Sequence, residues 1–233
     1  MTGIYAIYKP VGPTSHDLIN QLRQITGEKR IGHAGTLDPR ASGVLVVGVG
    51  REATRKLAEI VKKEKEYLAT VCLGQQSTTD DGEGEKTTRT TLTIPTLEEV
   101  QAAVLSFTGE ILQVPPAYSA VKIKGQAAYK LARKGQAPPL KPRPIVIKQI
   151  EILDYRWPRL KLRVVTGPGV YIRALARDLG QKLGTGAYLE ELERTRVGDF
   201  TKEKALSIER LARDWLLMMK KKGVKPPPTR VTS

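Results

Sequence analysis

The stretch Gly32-His33-Ala34-Gly35-Thr36-Leu37-Asp38-Pro39, continued by Arg40-Ala41-Ser42-Gly43, limits this chain more than any other. Three glycines and a proline in twelve residues favour tight turns over a helix or a regular ladder. On its N-terminal side, Leu18, Ile19, Leu22 and Ile25 recur at helical spacing behind Ser15, which reads as the helix cap. On its C-terminal side, Val44 to Val49 is an apolar run of the kind seen in a strand buried on both faces. A backbone-dominated loop is therefore expected between a helix and a buried strand, a place that can hold one side chain rigidly over a cleft. Asp38 is the only carboxylate between Glu28 and Glu52, which makes it the candidate nucleophile or base. From spacing alone, the plainer reading is a turn aspartate bonding its own backbone ahead of proline.

The rest of the chain mixes the two periodicities. Gly3 to Tyr8 and Tyr67 to Leu73 read as strands, and Arg51 to Val61 as a helix. Ser77 to Thr91 is polar and rich in Thr, Gly and Asp, so it reads as a loop or exposed hairpin. Thr96 and Glu99 form a capping-box pattern ahead of Leu97, Val100, Val104 and Phe107. Leu160, Leu162 and Val164 alternate with Lys161 and Arg163 as in a half-buried strand. Ile172, Leu175, Ala176, Leu179 and Leu183 form an apolar helical stripe, and Leu211, Trp215 and Leu216 suggest a final helix. Strands and helices alternate irregularly, with no dinucleotide-binding fingerprint and no P-loop ending. An α+β fold with a mixed, largely antiparallel central sheet flanked by helices is the most economical reading.

Charge bears on partners. The 233 residues carry a formal +15, and residues 122 to 182 hold fifteen Lys/Arg against three acids, a net +12. Such an excess favours a polyanion, nucleic acid before an anionic membrane surface, with a solvated basic face as the bland alternative. One cysteine, Cys72, excludes an intrachain disulfide, and two histidines, His16 and His33, argue against a histidine-rich metal centre. The longest apolar stretch, Ala41 to Gly50, is too short to span a bilayer, and the N-terminus lacks a secretory pattern, so a cytoplasmic location is expected. The basic, Pro-rich tail over 221–233 reads as unstructured.

Five ordered segments then carry a resemblance. Gly32 to Pro39, read as GHAGTLDP, resembles the active-site motif of the TruB family of tRNA pseudouridine synthases. Lys9-Pro10-Val11-Gly12-Pro13-Thr14-Ser15 resembles that family's KPxGxTS segment. Pro115 to Lys122 with Gly125 and Tyr129 resembles its PPxYSAxKxxGxxxY segment. Gly169-Val170-Tyr171-Ile172-Arg173 resembles GxYIR, and Arg194 to Gly198 the late RTxxG-like strand.

The resemblance implies a catalytic domain over 1–220, with a thumb-like insertion at about 114–143 that closes over the T arm, and no C-terminal PUA domain. It implies Asp38 as the catalytic carboxylate, Arg173 as its partner, and Tyr67 as the ring that stacks on the flipped uracil with its hydroxyl near C5. Tyr171 and Leu192 would line the uracil pocket. His33 would hold the flipped-out loop, and Lys9 with Pro10 would support the floor of the site. Lys122, Lys124, Lys130, Arg133 and Lys134 would meet phosphates. The implied partner is the tRNA T-arm stem-loop, bound by a monomer with no membrane, metal, nucleotide or other cofactor. The reaction conserves atoms, and a carboxylate can attack carbon or take a proton without separate activation. The family's Thr-Asp-Thr-x-Asp pattern reads Ser77-Thr78-Thr79-Asp80-Asp81 here, so no role is assigned to that segment. A non-enzymatic RNA-binding module is the alternative reading. An aspartate-dependent glycosidase is disfavoured, because no second carboxylate lies in these motifs.

Overall fold

A computed structural model describes residues 2–89, 93–123, 125–136 and 140–221. In chain order the elements are β1 (Gly3–Lys9), α1 (Ser15–Thr26), β2 (Ile31–His33), β3 (Ala41–Val49), α2 (Arg51–Val61), β4 (Lys65–Leu73), β5 (Gln75–Ser77), β6 (Lys86–Thr88) and α3 (Leu97–Leu105). Then follow β7 (Gly109–Gln113), β8 (Lys122–Ile123), β9 (Gln126–Ala127), α4 (Ala128–Ala132), β10 (Arg143–Arg156), β11 (Arg159–Thr166), α5 (Ile172–Lys182), β12 (Ala187–Val197), β13 (Phe200–Thr201) and α6 (Ile208–Lys221). The chain forms two compact units, one of residues up to Glu66 together with those from Glu193, the other of Tyr67–Leu192.

In the first unit β3 pairs antiparallel with β1, from Gly3 opposite Val49 to Lys9 opposite Gly43. β2 pairs antiparallel with the end of β3, His33 lying opposite Val47. Alternate β3 side chains serve opposite faces. Leu45, Val47 and Val49 pack with Ile7, Leu18, Ile19, Leu22 and Leu211, while Val44 and Val46 pack with Leu57, Ile60 and Val197. Helices therefore cover both faces of this strand, which is why its sequence is apolar without interruption.

The cap of α1 differs from the expectation. Thr14, not Ser15, is the N-cap, with its hydroxyl accepting from the Asp17 amide and the Asp17 carboxylate accepting from the Thr14 amide. This capping box leaves the Ser15 hydroxyl available for another task.

In the second unit the strand order is β12-β4-β11-β10-β7, and β10 pairs antiparallel with both β11 and β7. Leu160, Leu162 and Val164 are buried while Lys161 and Arg163 are exposed, as the alternation requires. They join Val100 and Val104 of α3 and Ile172, Leu175 and Leu179 of α5 in one core. The Thr96–Glu99 capping box starts α3 as expected. Up to Arg89, the polar segment that begins at Ser77 forms the end of the first strand, the turn and the second strand of a β5–β6 hairpin, and positions 90 and 91 lie outside the described residues. The described residues between 114 and 143 carry the short β8–β9 ladder and α4. The α+β class with antiparallel pairing is what the chain adopts. Residue 221 closes α6, and the expected basic tail from 222 onward lies outside the described residues.

Candidate active site

The Gly35–Ala41 loop of the first unit is gripped through its main chain by side chains from outside it. Arg194, only 2% exposed, donates from Nε to the Val44 carbonyl at 2.8 Å and from its two terminal nitrogens to the Gly35 and Thr36 carbonyls at 3.0 and 3.4 Å. The Ser15 hydroxyl donates to the Leu37 carbonyl at 3.0 Å and accepts from the Leu37 amide at 2.9 Å. Lys9 is fully buried and its ammonium donates to the carbonyls of Pro10 at 2.9 Å, Pro39 at 3.2 Å and Ala41 at 2.6 Å. The Gly12 amide donates to the Pro39 carbonyl at 2.8 Å, and the Ala41 amide to that of Asp38 at 3.0 Å. Gly43 has φ +109°, and a Cβ there would collide with the Arg194 backbone, so only glycine lets the two segments lie this close.

Two separate sequence motifs, the Lys9–Ser15 segment and the one that begins at Arg194, thus converge on one loop. Its half-buried Asp38 is held on a defined path. Lys9, expected among the substrate-binding residues and as support for the floor, has its ammonium turned to the underside of the loop. Burial pushes its pKa from 10.5 down to about 8, with the Asp38 carboxylate opposing and the Arg194 guanidinium adding to the fall. His33 ends β2 and is half-buried. Burial, then the charges of Arg194 and His16, lower its pKa, so the ring is neutral at pH 7. Its Nδ1 is buried with no hydrogen-bond partner among the described residues.

A stability trend follows from Lys9 and Lys65, both buried and both lowered to about 8. Between their folded pKa and the unfolded 10.5, the unfolded chain holds more protons. Stability against urea is therefore expected to rise from about pH 8 to about pH 10, after a flat region below 8. In Lys9→Met about half of that rise should disappear.

In the second unit, Tyr67 is buried near the start of β4, in the core that holds Ile172, Leu175 and Leu189, and Leu192 packs partly buried against the same core. Tyr171 is half-buried at the N-cap of α5, and its amide and carbonyl are both bonded by the Gln113 carboxamide, at 2.9 and 3.1 Å. Arg173 is buried. It donates to the carbonyls of Thr79 at 3.3 Å and Tyr118 at 3.0 Å and forms an ion pair with Asp81 at 3.4 Å. One helical turn on, Arg177 binds Asp80 at 2.9 Å, Asp178 at 2.8 Å and the Val114 carbonyl at 2.8 Å. Asp80 itself has φ +61°. Burial raises the pKa of Asp80 and Asp178 despite the adjacent arginine.

Sequence reasoning left Asp80 and Asp81 without a role because the first acid of the resembled pattern is missing. The available signal was the pair of arginines at positions i and i+4 of α5, which need two buried anionic partners.

The basic segment is less free than its net charge suggests. Arg156, Arg159 and Arg163 are paired with Asp154, Glu190 and Glu151, and Arg173 and Arg177 face inward. Lys122, Lys130, Arg133 and Lys134 are exposed, with Arg133 lying 5.6 Å from the Tyr129 ring. Lys124 lies outside the described residues. Among the described residues no helix is long and apolar enough to cross a membrane.

Comparisons agree with the motif reading. The model of the TruB family pseudouridylate synthase N-terminal domain matches residues 23–172, and that of the tRNA pseudouridylate synthase B C-terminal domain matches residues 173–225. The chain is 45% identical over 224 residues to tRNA pseudouridine synthase B of Thermobifida fusca, covering 93% of this chain and 76% of that protein. It is 47% identical over 214 residues to tRNA pseudouridine synthase B of Mycobacterium sp. strain KMS, covering 90% and 72%. A chain in the crystal structure of a Cbf5-Nop10-Gar1 complex superposes with a TM-score of 0.73 at 29% identity, covering 98% of this chain and 60% of that one.

Proposed function

The chain belongs to the TruB family of pseudouridylate synthases, and on that premise we propose that it isomerises uridine 55 in the T arm of tRNA to pseudouridine. The N1–C1′ bond breaks, the uracil turns, and C5 bonds to C1′. No atom is gained or lost, so the conversion calls for no oxidant and no nucleotide.

The observation that carries this reading is the loop that presents Asp38. A carboxylate gains nucleophilic or basic power in a site when its path is fixed and its approach to the sugar is repeatable. Lys9, Ser15 and Arg194 supply that rigidity through seven bonds to loop or flanking main chain. Asp38 either adds to C1′ or removes the 2′ proton. Tyr67 and Tyr171 offer aromatic faces to the base, Leu192 an apolar wall, and the Tyr67 hydroxyl a group for proton transfer at C5. Arg173 keeps the anionic side of the site ordered, and His33, neutral, borders the extruded nucleotide. The protein works as a cytoplasmic monomer on folded tRNA, with the 114–143 insertion as its thumb.

Purified protein incubated with total tRNA should produce pseudouridine at one T-arm position, read by chemical mapping. Formation of none in any tRNA or T-arm hairpin would overturn the reading in favour of a binding module. The exposed Lys122, Lys130 and Arg133 are assigned to phosphates. Affinity for the T-arm hairpin should fall steeply with salt, and each of these residues changed to Ala should lower the log–log slope by about one. A slope unchanged in all three variants would remove the insertion from the RNA footprint.

A further inference from the structure

Gln113 is 2% exposed at the end of β7, a polar side chain placed where the strand meets the core. Its Oε1 accepts from the Tyr171 amide at 2.9 Å and its Nε2 donates to the Tyr171 carbonyl at 3.1 Å. Only one orientation of the carboxamide satisfies both bonds, so the assignment of O and N is determined by the partners. The Tyr171 carbonyl also accepts from the Leu175 amide, the first bond of α5. No side chain caps this helix from within, and Tyr171 sits at φ −104°, ψ 112°. Gln113 thus grips both polar atoms of the residue whose backbone sets where α5 starts. It also fixes the direction in which the Tyr171 side chain leaves the chain.

The segment after Gln113 is tied to the same helix. Arg177 holds the Val114 carbonyl and Arg173 the Tyr118 carbonyl. The root of the insertion and the first two turns of α5 are therefore one bonded block. An apolar residue could fill the volume of Gln113, but it would leave the Tyr171 amide buried without an acceptor.

We propose that Gln113 is a positioning residue of the isomerisation, acting through the Tyr171 backbone to aim the Tyr171 ring at the uracil. This rests on the role assigned to Tyr171 above. It predicts that turnover, more than substrate binding, depends on both halves of the carboxamide.

The test uses the full chain with Gln113→Met and Gln113→Glu, a T-arm hairpin as substrate, and hydrogen exchange of the Tyr171 amide in RNA-free protein. Gln113→Met should lower kcat about 10- to 100-fold, in line with the cost of a small misplacement, with KM within about threefold of wild type. Its Tyr171 amide should exchange at least about tenfold faster. Gln113→Glu supplies the acceptor but lacks the donor while ionised. A buried carboxyl titrates above its usual range, and its protonated form regains the O–H that donates to the Tyr171 carbonyl. The ratio of variant to wild-type kcat should therefore rise about fivefold or more from pH 8.5 to pH 5.5. The charged groups on neighbouring elements, Arg143 opposite in β10, Arg173 and Arg177 of α5, and Asp80 and Asp81 of the hairpin turn, are common to both proteins, so the ratio isolates position 113. An unchanged kcat in Gln113→Met overturns the proposal. If wild-type protein forms no pseudouridine, the proposed function fails instead. The exchange experiment still decides the clamp, and unaltered Tyr171 exchange in Gln113→Met would end it.

Discussion

Asp38→Asn is expected to lower single-turnover pseudouridine formation by about 10³-fold or more while T-arm affinity stays within about threefold. Asparagine is nearly isosteric with aspartate. The grip on the loop comes from Lys9, Ser15, Gly12 and Arg194 acting on main-chain atoms, and the Ala41 amide bonds the main-chain carbonyl of residue 38, so none of these contacts needs the carboxylate. What is lost is an anionic oxygen able to attack carbon or to take a proton. A neutral amide does neither at an appreciable rate. Quenched-flow formation of pseudouridine in a labelled hairpin, paired with filter binding of the same hairpin, separates chemistry from capture. Retention of more than about a tenth of wild-type turnover would show that another group carries the reaction.

Arg194→Met should be the most destabilising single change in the first unit, at about 3–5 kcal/mol in urea unfolding. Methionine comes near the arginine in length and keeps much of its packing. It cannot donate to the carbonyls of Gly35, Thr36 and Val44, which arginine binds from a buried position. Each orphaned carbonyl costs roughly 1–3 kcal/mol, less when neighbours relax together. Arg194→Lys should recover little, because an ammonium lacks the planar fork that reaches three acceptors on two segments. A loss below about 1 kcal/mol for the methionine variant would mean that the loop is held mainly from the Lys9 and Ser15 side.

Much of the first unit can be derived from its letters. β3 follows from an apolar run too long to leave either face wet, and α1 from the spacing of Leu18, Ile19 and Leu22. The cap shifted by one residue because Thr14 and Ser15 are both good caps, and the Asp17 carboxylate settles which of them is used. That shift has a functional reason, since Ser15 is needed at Leu37. Asp38 stood out because it is alone among carboxylates in a loop of turn formers. Its weight as a catalytic group came from the family resemblance, not from its spacing.

The second unit was harder to read. Tyr67 has the signature of any strand tyrosine, and its burial beside Ile172 depends on pairings distant in sequence. The Asp80–Arg177 and Asp81–Arg173 pairs join residues more than ninety positions apart, so the arginine spacing of α5 signals a need for anionic partners without naming them. Gln113 was overlooked for the same reason, because a glutamine at a strand end gives no local hint of a carboxamide that grips a helix start. The net charge of 122–182 was legible as a sum but not as a surface, since several of its arginines are balanced by acids within the fold.

The main-chain grip on the Gly35–Ala41 loop has an evolutionary consequence. Thr36 and Arg40 are exposed there, while the polypeptide path is held by atoms every residue type possesses. Randomising those two codons should yield many variants with an intact trajectory, because the bonds from Lys9, Ser15 and Arg194 fall on main-chain atoms. Asp38 is thereby carried on a path that the side chains beside it do not have to encode.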